Sequence, residues 1–168
     1  MVFYFSKMVR AFIGIGSNTG DRKKNITRAF KVLENNFEVK NRSGVYEAEP
    51  IGYIYDDWFY NAIVEIETDK DPELLLKTLH SIEDQFGRIR SMNKITLDLD
   101  LLFYGNQIVE RFDLQVPHIK IPNRKFVLKP MAEIAPDYVH PITNKTIKDM
   151  LKEVNVDKEV KKLRGNFE

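Results

Sequence analysis

The 168-residue chain predicts an α+β sandwich, an antiparallel sheet with helices packed on it. Three observations carry that reading. Two stretches show the apolar spacing of amphipathic helices, several short stretches alternate or run apolar as strands do, and the two kinds are interleaved. Their order is strand, helix, strand, strand, helix, strand, the split βαβ or ferredoxin-like arrangement. Such a sheet is expected to carry helices on one face and to offer the other to a ligand.

Residues 10–16 read as a short buried strand that breaks at its glycines, Gly14 and Gly16. Residues 21–35 follow as a helix with Ile26, Ala29, Phe30 and Leu33 at i, i+3, i+4 and i+7. A second strand is expected over 37–47 and a polar, irregular loop over 48–57. Residues 58–68 alternate again, with Ala62, Val64 and Ile66 on one face and Phe59, Asn61 and Glu65 on the other.

Asp71-Pro72-Glu73 opens the second helix with a capping carboxylate, a proline at the first helical position and an acid near the positive dipole end. Leu75, Leu79, Ile82 and Phe86 form its buried stripe, and Gly87 closes it. A basic loop, 88–94, leads into the next strand. Gly105-Asn106 suits a hairpin turn into a strand over 107–109. Beyond lie a loop punctuated by Pro117 and Pro122, a short helix ending near Ala135, and a C-terminal helical extension over 145–168. The chain reads as a single domain, 1–168, with residues 1–7 as an upstream extension before Met8.

Composition narrows the function classes. With 43% hydrophobic and 30% charged residues and a net charge of +1, no global basic excess points to nucleic acid or a membrane surface. The absence of cysteine excludes disulfides, thiol catalysis and thiolate-bound zinc. His80, His118 and His140 lie far apart without metal-site spacing. The apolar start is too short for a signal peptide or a membrane span, so a cytoplasmic location is expected.

The most informative segment is 96–103. On a strand, Leu97, Leu99 and Leu101 fall on one face and Thr96, Asp98 and Asp100 on the other. Two carboxylates held side by side repel unless one protonates or a cation neutralises both. Mg²⁺ commonly takes one or two carboxylates and completes its shell with phosphates and water. The competing reading is an exposed face whose aspartates pair with lysines. Arg88, Arg90 and Lys94 precede the strand and Lys120, Arg124 and Lys125 follow it, as a metal–polyphosphate complex requires.

The turn 14–20 lacks the third glycine of a dinucleotide fingerprint at its proper place and the lysine of a P-loop. It is either an anion-touching turn beside a helix start or a plain connection. Phe59, Asn61 and Phe126 would suit a flat heteroaromatic ring, although phenylalanines are more often core residues.

Taken in order, these segments resemble the 6-hydroxymethyl-7,8-dihydropterin pyrophosphokinase family. The marks are Ile13 to Asn18, Tyr46 with Glu49-Pro50-Ile51-Gly52, Phe59 to Ala62, Gly87-Arg88, Leu97 to Asp100, Val116-Pro117-His118, Asn123 to Phe126, and Ile134 to Asp137 with His140-Pro141. The resemblance implies transfer of pyrophosphate from ATP to the substrate hydroxymethyl group, releasing AMP. It implies that Asp98 and Asp100 bind two Mg²⁺ ions, with Arg88, Lys94 and Arg124 beside the reacting phosphates. It places His80, Glu83, Arg90, His118, Lys120 and Arg124 near ATP, and Ala48, Ile51, Phe59, Asn61 and Phe126 around the pterin. ATP and the hydroxymethyl-dihydropterin are the implied partners, with no nucleic acid or membrane and a monomer or homodimer as the assembly.

The chain departs from the family pattern after Gly87-Arg88. The loop is shorter, carries no tryptophan, and has Ile95 where an arginine is usual; Lys94 stands beside it. Two alternatives are a related Mg-ATP-dependent phosphoryl or pyrophosphoryl transferase acting on another heteroaromatic alcohol, and a ferredoxin-like RNA-binding module. The second lacks the aromatic and basic stacking motifs expected on the central strands.

Overall fold

A computed structural model describes residues 6–51, 57–87, 90–91 and 93–168, with Arg90 and Ser91 described by backbone alone. In chain order the elements are β1 (Val9–Ser17), α1 (Arg22–Asn36), β2 (Glu38–Arg42), β3 (Tyr46–Ala48), β4 (Phe59–Thr68), α2 (Pro72–Gln85), β5 (Arg90–Ser91) and β6 (Lys94–Ile95). They continue with β7 (Asp98–Tyr104), β8 (Val109–Arg111), β9 (Leu114–Val116), α3 (Lys125–Ile134), α4 (Ile147–Glu153) and β10 (Val160–Lys162).

The main sheet is antiparallel throughout, with β7, β1 and β4 adjacent, β2 and β3 both on the far edge of β4, and β10 beyond β3. Counting β2 and β3 as one interrupted second strand, this is the 4-1-3-2 order of the split βαβ sandwich. The helices begin as their sequences dictate. Asp21 Oδ1 accepts from Lys24 N at 3.0 Å and Asp71 Oδ1 from Leu74 N at 2.8 Å, satisfying one otherwise orphaned donor at each start.

The expected second strand is divided. Ser43 donates its N–H to Ile63 O, and its hydroxyl accepts from Ile63 N, both at 2.9 Å. That side-chain bond replaces a ladder rung, while Gly44 N turns to the Glu133 carboxylate. The first strand, by contrast, does not break at its glycines. It runs through Gly14 and Gly16 to Ser17, paired on both edges.

Both faces of the sheet are covered, unlike the one-sided arrangement expected. On one face α1 and α2 bury Ile26, Phe30, Leu33, Leu75, Leu79 and Ile82 against Ile13, Ile15, Val64, Ile66, Leu99 and Leu101. On the other, α3 and α4 pack Leu128, Met131, Ile147 and Met150 against Phe12, Ile63, Leu102 and Phe103. Periodicity in β7 could not show this second core, because a bulge interrupts it. Ile13 pairs with Leu101 and Phe12 with Phe103, so Leu102 is the extra residue and joins Phe103 on the second face. The second core stops short of the first residues of β7, and there the site lies.

Two further differences concern connections. After the Gly105-Asn106 turn the chain does not pair back on β7. It forms a separate hairpin, β8 with β9, closed by the two residues Phe112 and Asp113. The C-terminal extension is helical only over α4. Val160 is then buried against Tyr46 and Ala48 and extends the sheet as β10, with Lys129 Nζ donating to its carbonyl at 2.5 Å. No described helix is long and apolar enough to cross a membrane.

Candidate active site

Asp98 and Asp100 open the edge strand β7 and project from the face opposite Leu99 and Leu101. Across the ladder Asp98 lies opposite Gly16 and Asp100 opposite Gly14; Gly16 in turn lies opposite Asn61 on β4. The missing side chains at 14 and 16 leave a floor between the carboxylates and the Asn61 amide. A Cβ at Gly16 would stand 3.3 Å from Asn61 Oδ1 and 3.7 Å from Phe59 Cδ1; one at Gly14 would stand 3.3 Å from Leu102 Cδ1. Glycine inside a strand marks a close approach, and here it serves the space above the sheet.

Two cavities meet at the aspartates. One is a narrow slot of about 30 Å³ over the glycine floor, lined by Asn61, Ile63, Leu102, Phe126, Asp98 and Asp100. The Asn61 amide is 7% exposed, and no described residue accepts a hydrogen bond from its Nδ2. The other is a cavity of about 310 Å³ between α2 and the β8–β9 hairpin. Its polar wall is Asp98, Asp100, His80, Glu83 and His118. Leu76, His80 and Glu83 stand at i, i+4 and i+7, one face of α2.

The electrostatics agree with a site built for a cation. Burial, then the neighbouring Asp98, push the Asp100 carboxyl up to about 8, with Arg124 opposing and Glu83 adding to the rise. Glu83 is itself buried, and its Oε2 accepts from Leu99 N at 3.0 Å, which satisfies the open edge of β7. His118 titrates lower than a free imidazole because of burial and the nearby Arg124 and Lys120, so its ring is neutral at pH 7. Its Nδ1 accepts from Lys120 N at 3.3 Å, which leaves Nε2–H as the donor.

Among the described residues no three His, Cys, Asp or Glu side chains converge as a metal-binding group. A pair of adjacent carboxylates fits a hard divalent cation whose other ligands are phosphate and water.

The sequence-derived residues separate into groups. Asp98, Asp100, His80, Glu83 and His118 come together in the larger cavity, and Asn61 and Phe126 share the slot with the aspartates. Arg124 stands within electrostatic reach of both Asp100 and His118, its guanidinium 5.4 Å from the Phe126 ring centre. Phe59 borders the floor at Gly16. Ala48 is buried with Tyr46 and Val160 where Phe126 packs. Ile51 is exposed and lines neither cavity, and the same holds for Lys94. Arg88 and the Arg90 side chain lie outside the described residues.

The turn after β1 is fastened by side-chain hydrogen bonds. Ser17 and Asn18 are buried, and Asn18 closes on the chain that feeds β7. Its N donates to Ile95 O at 3.0 Å, its Oδ1 accepts from Ile95 N at 2.6 Å, and its Nδ2 donates to Asn93 O at 3.0 Å. Asn25 Nδ2 adds Ser17 Oγ, Thr19 O and Thr96 O at 3.1, 3.0 and 3.2 Å. Nothing in the sequence marked Asn18 as a clamp, because its partners lie more than seventy residues away.

The family model for 7,8-dihydro-6-hydroxymethylpterin-pyrophosphokinase matches residues 12–136. The chain belongs to this family. Its members are the pyrophosphokinases of folate biosynthesis. The chain is 35% identical over 158 residues to the 2-amino-4-hydroxy-6-hydroxymethyldihydropteridine pyrophosphokinase of Haemophilus influenzae, covering 92% of this chain and 98% of that one. It is 36% identical over 141 residues to the folic acid synthesis protein FOL1 of Dictyostelium discoideum, covering 83% of this chain. The chain spans about a fifth of the length of that relative, 22%. The crystal structure of Plasmodium falciparum HPPK-DHPS with pteroate superposes with a TM-score of 0.72 at 15% identity, covering 90% of this chain and 41% of that one. That likeness establishes the pyrophosphokinase-domain fold.

Proposed function

We propose that this chain transfers the terminal pyrophosphate of ATP to the hydroxymethyl group of 6-hydroxymethyl-7,8-dihydropterin, giving the pterin diphosphate and AMP. The observation that carries the reading is that Asp98 and Asp100 line both cavities. A nucleotide in the larger cavity and a flat ring in the slot would meet at the carboxylates. Family membership supplies the identity of both substrates.

In this reading the pterin lies over Gly14 and Gly16, bonds the Asn61 amide, and stacks on Phe126 and Phe59. The slot must widen to take it, and Phe126, only partly buried at its border, is the wall that gives way. Asp98 and Asp100 would hold two Mg²⁺ ions together with the triphosphate. Those ions supply charge neutralisation along the phosphates and lower the pKa of the attacking alcohol. Arg124, Lys120 and His118 Nε2–H donate to phosphate oxygens that remain uncovered. No covalent intermediate is needed; the chain's contribution is alignment and a preorganised charge distribution. Roles for Arg88 and Arg90 beside the phosphates, and for Ile51 beside the pterin, rest on the family likeness alone; that of Lys94 rests on its place next to Ile95, where the family has an arginine. We place the protein in the cytoplasm as a monomer or homodimer that contacts neither nucleic acid nor membrane.

Incubation with Mg-ATP and the hydroxymethyl-dihydropterin, with AMP resolved from ADP, tests the reaction. AMP formed in step with pterin consumption supports it. ADP in its place would favour phosphoryl transfer, and no turnover would overturn both.

A further inference from the structure

Phe112 is wholly exposed, at 106% of its reference area, although it sits at the tip of the β8–β9 hairpin where the two-residue turn favours small or polar residues. Among the described residues it is the only aromatic ring among the exposed large hydrophobic side chains, and it lines the larger cavity. Ile119, 69% exposed, and Leu76 line the same space. The cavity thus combines an anionic and histidine-bearing wall with an apolar, aromatic one.

The tip is anchored. Arg111 Nη2 lies 3.4 Å from Glu73 Oε2 at the start of α2, and Arg111 Nε lies 3.5 Å from Asp113 Oδ1. These exposed pairs contribute little stability, but they hold the hairpin tip toward the helix that supplies Leu76 and His80.

Resting on the reading above, we propose that Phe112 stacks on the purine base of ATP. It closes the cavity's open side and sets the enzyme's preference for a nucleoside triphosphate over a bare polyphosphate. An exposed ring has little to lose in the free protein and gains burial when a flat base covers it. Stacking of one base on one aromatic ring predicts a loss of roughly ten- to a hundredfold in ATP affinity when the ring is removed.

The test compares wild type, Phe112→Ala, Phe112→Leu and Phe112→Trp by calorimetry in Mg²⁺. The probes are a non-hydrolysable ATP analogue and inorganic tripolyphosphate. Phe112→Ala should weaken the analogue by that factor and leave tripolyphosphate within twofold; leucine should recover part of the loss and tryptophan all of it. Unchanged analogue affinity, or equal losses for both probes, overturns the proposal. So does conversion of a dimer to a monomer by Phe112→Ala with ATP affinity retained, which would put the ring in a self-interface. Wild-type protein that turns over Mg-ATP and pterin while Phe112→Ala binds the analogue normally overturns this inference alone. Wild-type protein that binds no ATP overturns the reading beneath it, and the inference with it.

Discussion

Asp98 and Asn61 stand on either side of Gly16, one ladder position apart on each edge of β1. That relationship joins a charged group and a buried amide on one face, with nothing but backbone between them.

Gly16→Ala tests the floor directly. The added methyl group would meet Asn61 Oδ1 at 3.3 Å, so the amide must shift by a few tenths of an ångström. Pterin affinity should fall by roughly tenfold, as for a misaligned buried hydrogen bond. Affinity for the ATP analogue should stay within twofold. Calorimetry with each ligand alone checks both.

Asp98→Asn and Asp100→Asn should each lower turnover by about a thousandfold or more, the loss expected when a metal-holding carboxylate goes. Their effects on stability should be opposite in sense to their effects on activity. The folded protein holds the Asp100 proton up to about 8, whereas an unfolded aspartate releases it near 4. Between those values the native state binds more protons, so metal-free stability falls as pH rises through the window. Asp100→Asn should flatten that fall and raise Tm at pH 8 in the presence of chelator. Added Mg²⁺ should raise the Tm of wild type and leave that of Asp100→Asn nearly unchanged. A lower Tm for Asp100→Asn at pH 8 without metal would contradict the assignment.

Phe126→Ala removes one border of the slot and one stacking face. Pterin binding should weaken by about 1–3 kcal/mol, taking base stacking as the analogue, while nucleotide binding stays within twofold. A collapse of nucleotide affinity with pterin affinity intact would show that the ring belongs to the other cavity.

Asn18→Ala breaks two hydrogen bonds to residues 93–95 and leaves Ile95 N without its side-chain acceptor. The backbone bond from Asn18 N survives. Stability should fall by about 1–3 kcal/mol, the cost of one unsatisfied buried amide, measured by urea denaturation. Because this clamp fixes the approach to Asp98, kcat should fall more than pterin affinity. Asn18→Asp, which keeps the acceptor, should recover more of the stability than alanine does.

The split βαβ order, both helix starts and the buried stripes of α1 and α2 were legible in the sequence, because each depends on neighbours within one or two turns. The aspartate pair was legible for the same reason: alternation alone separates Asp98 and Asp100 from Leu97, Leu99 and Leu101. The second core was not, since the bulge at Leu102 reverses the alternation that would have revealed it. Gly14 and Gly16 read in the sequence as a strand end, because glycine's usual role as a breaker hides its use as a floor. Asn18 depends on partners far away in sequence, and Phe112 acquires its setting only when its hairpin is brought beside α2. Phe112 did leave a trace, an aromatic residue at a turn where chain geometry does not call for one. Neither Ile51, expected from the family likeness, nor Lys94, expected as a stand-in for the arginine missing at 95, lines either cavity at the aspartates.

The proposed pyrophosphoryl transfer joins two pockets that meet at Asp98 and Asp100. A single turnover with ATP labelled at the β or the γ phosphorus, in Mg²⁺ with hydroxymethyl-dihydropterin, tests it most directly. Both labels should appear in the pterin product of the wild-type protein, with AMP unlabelled, and neither should appear with Asp98→Asn on the same timescale. Transfer of the γ label alone, or equal transfer by Asp98→Asn, would contradict the account.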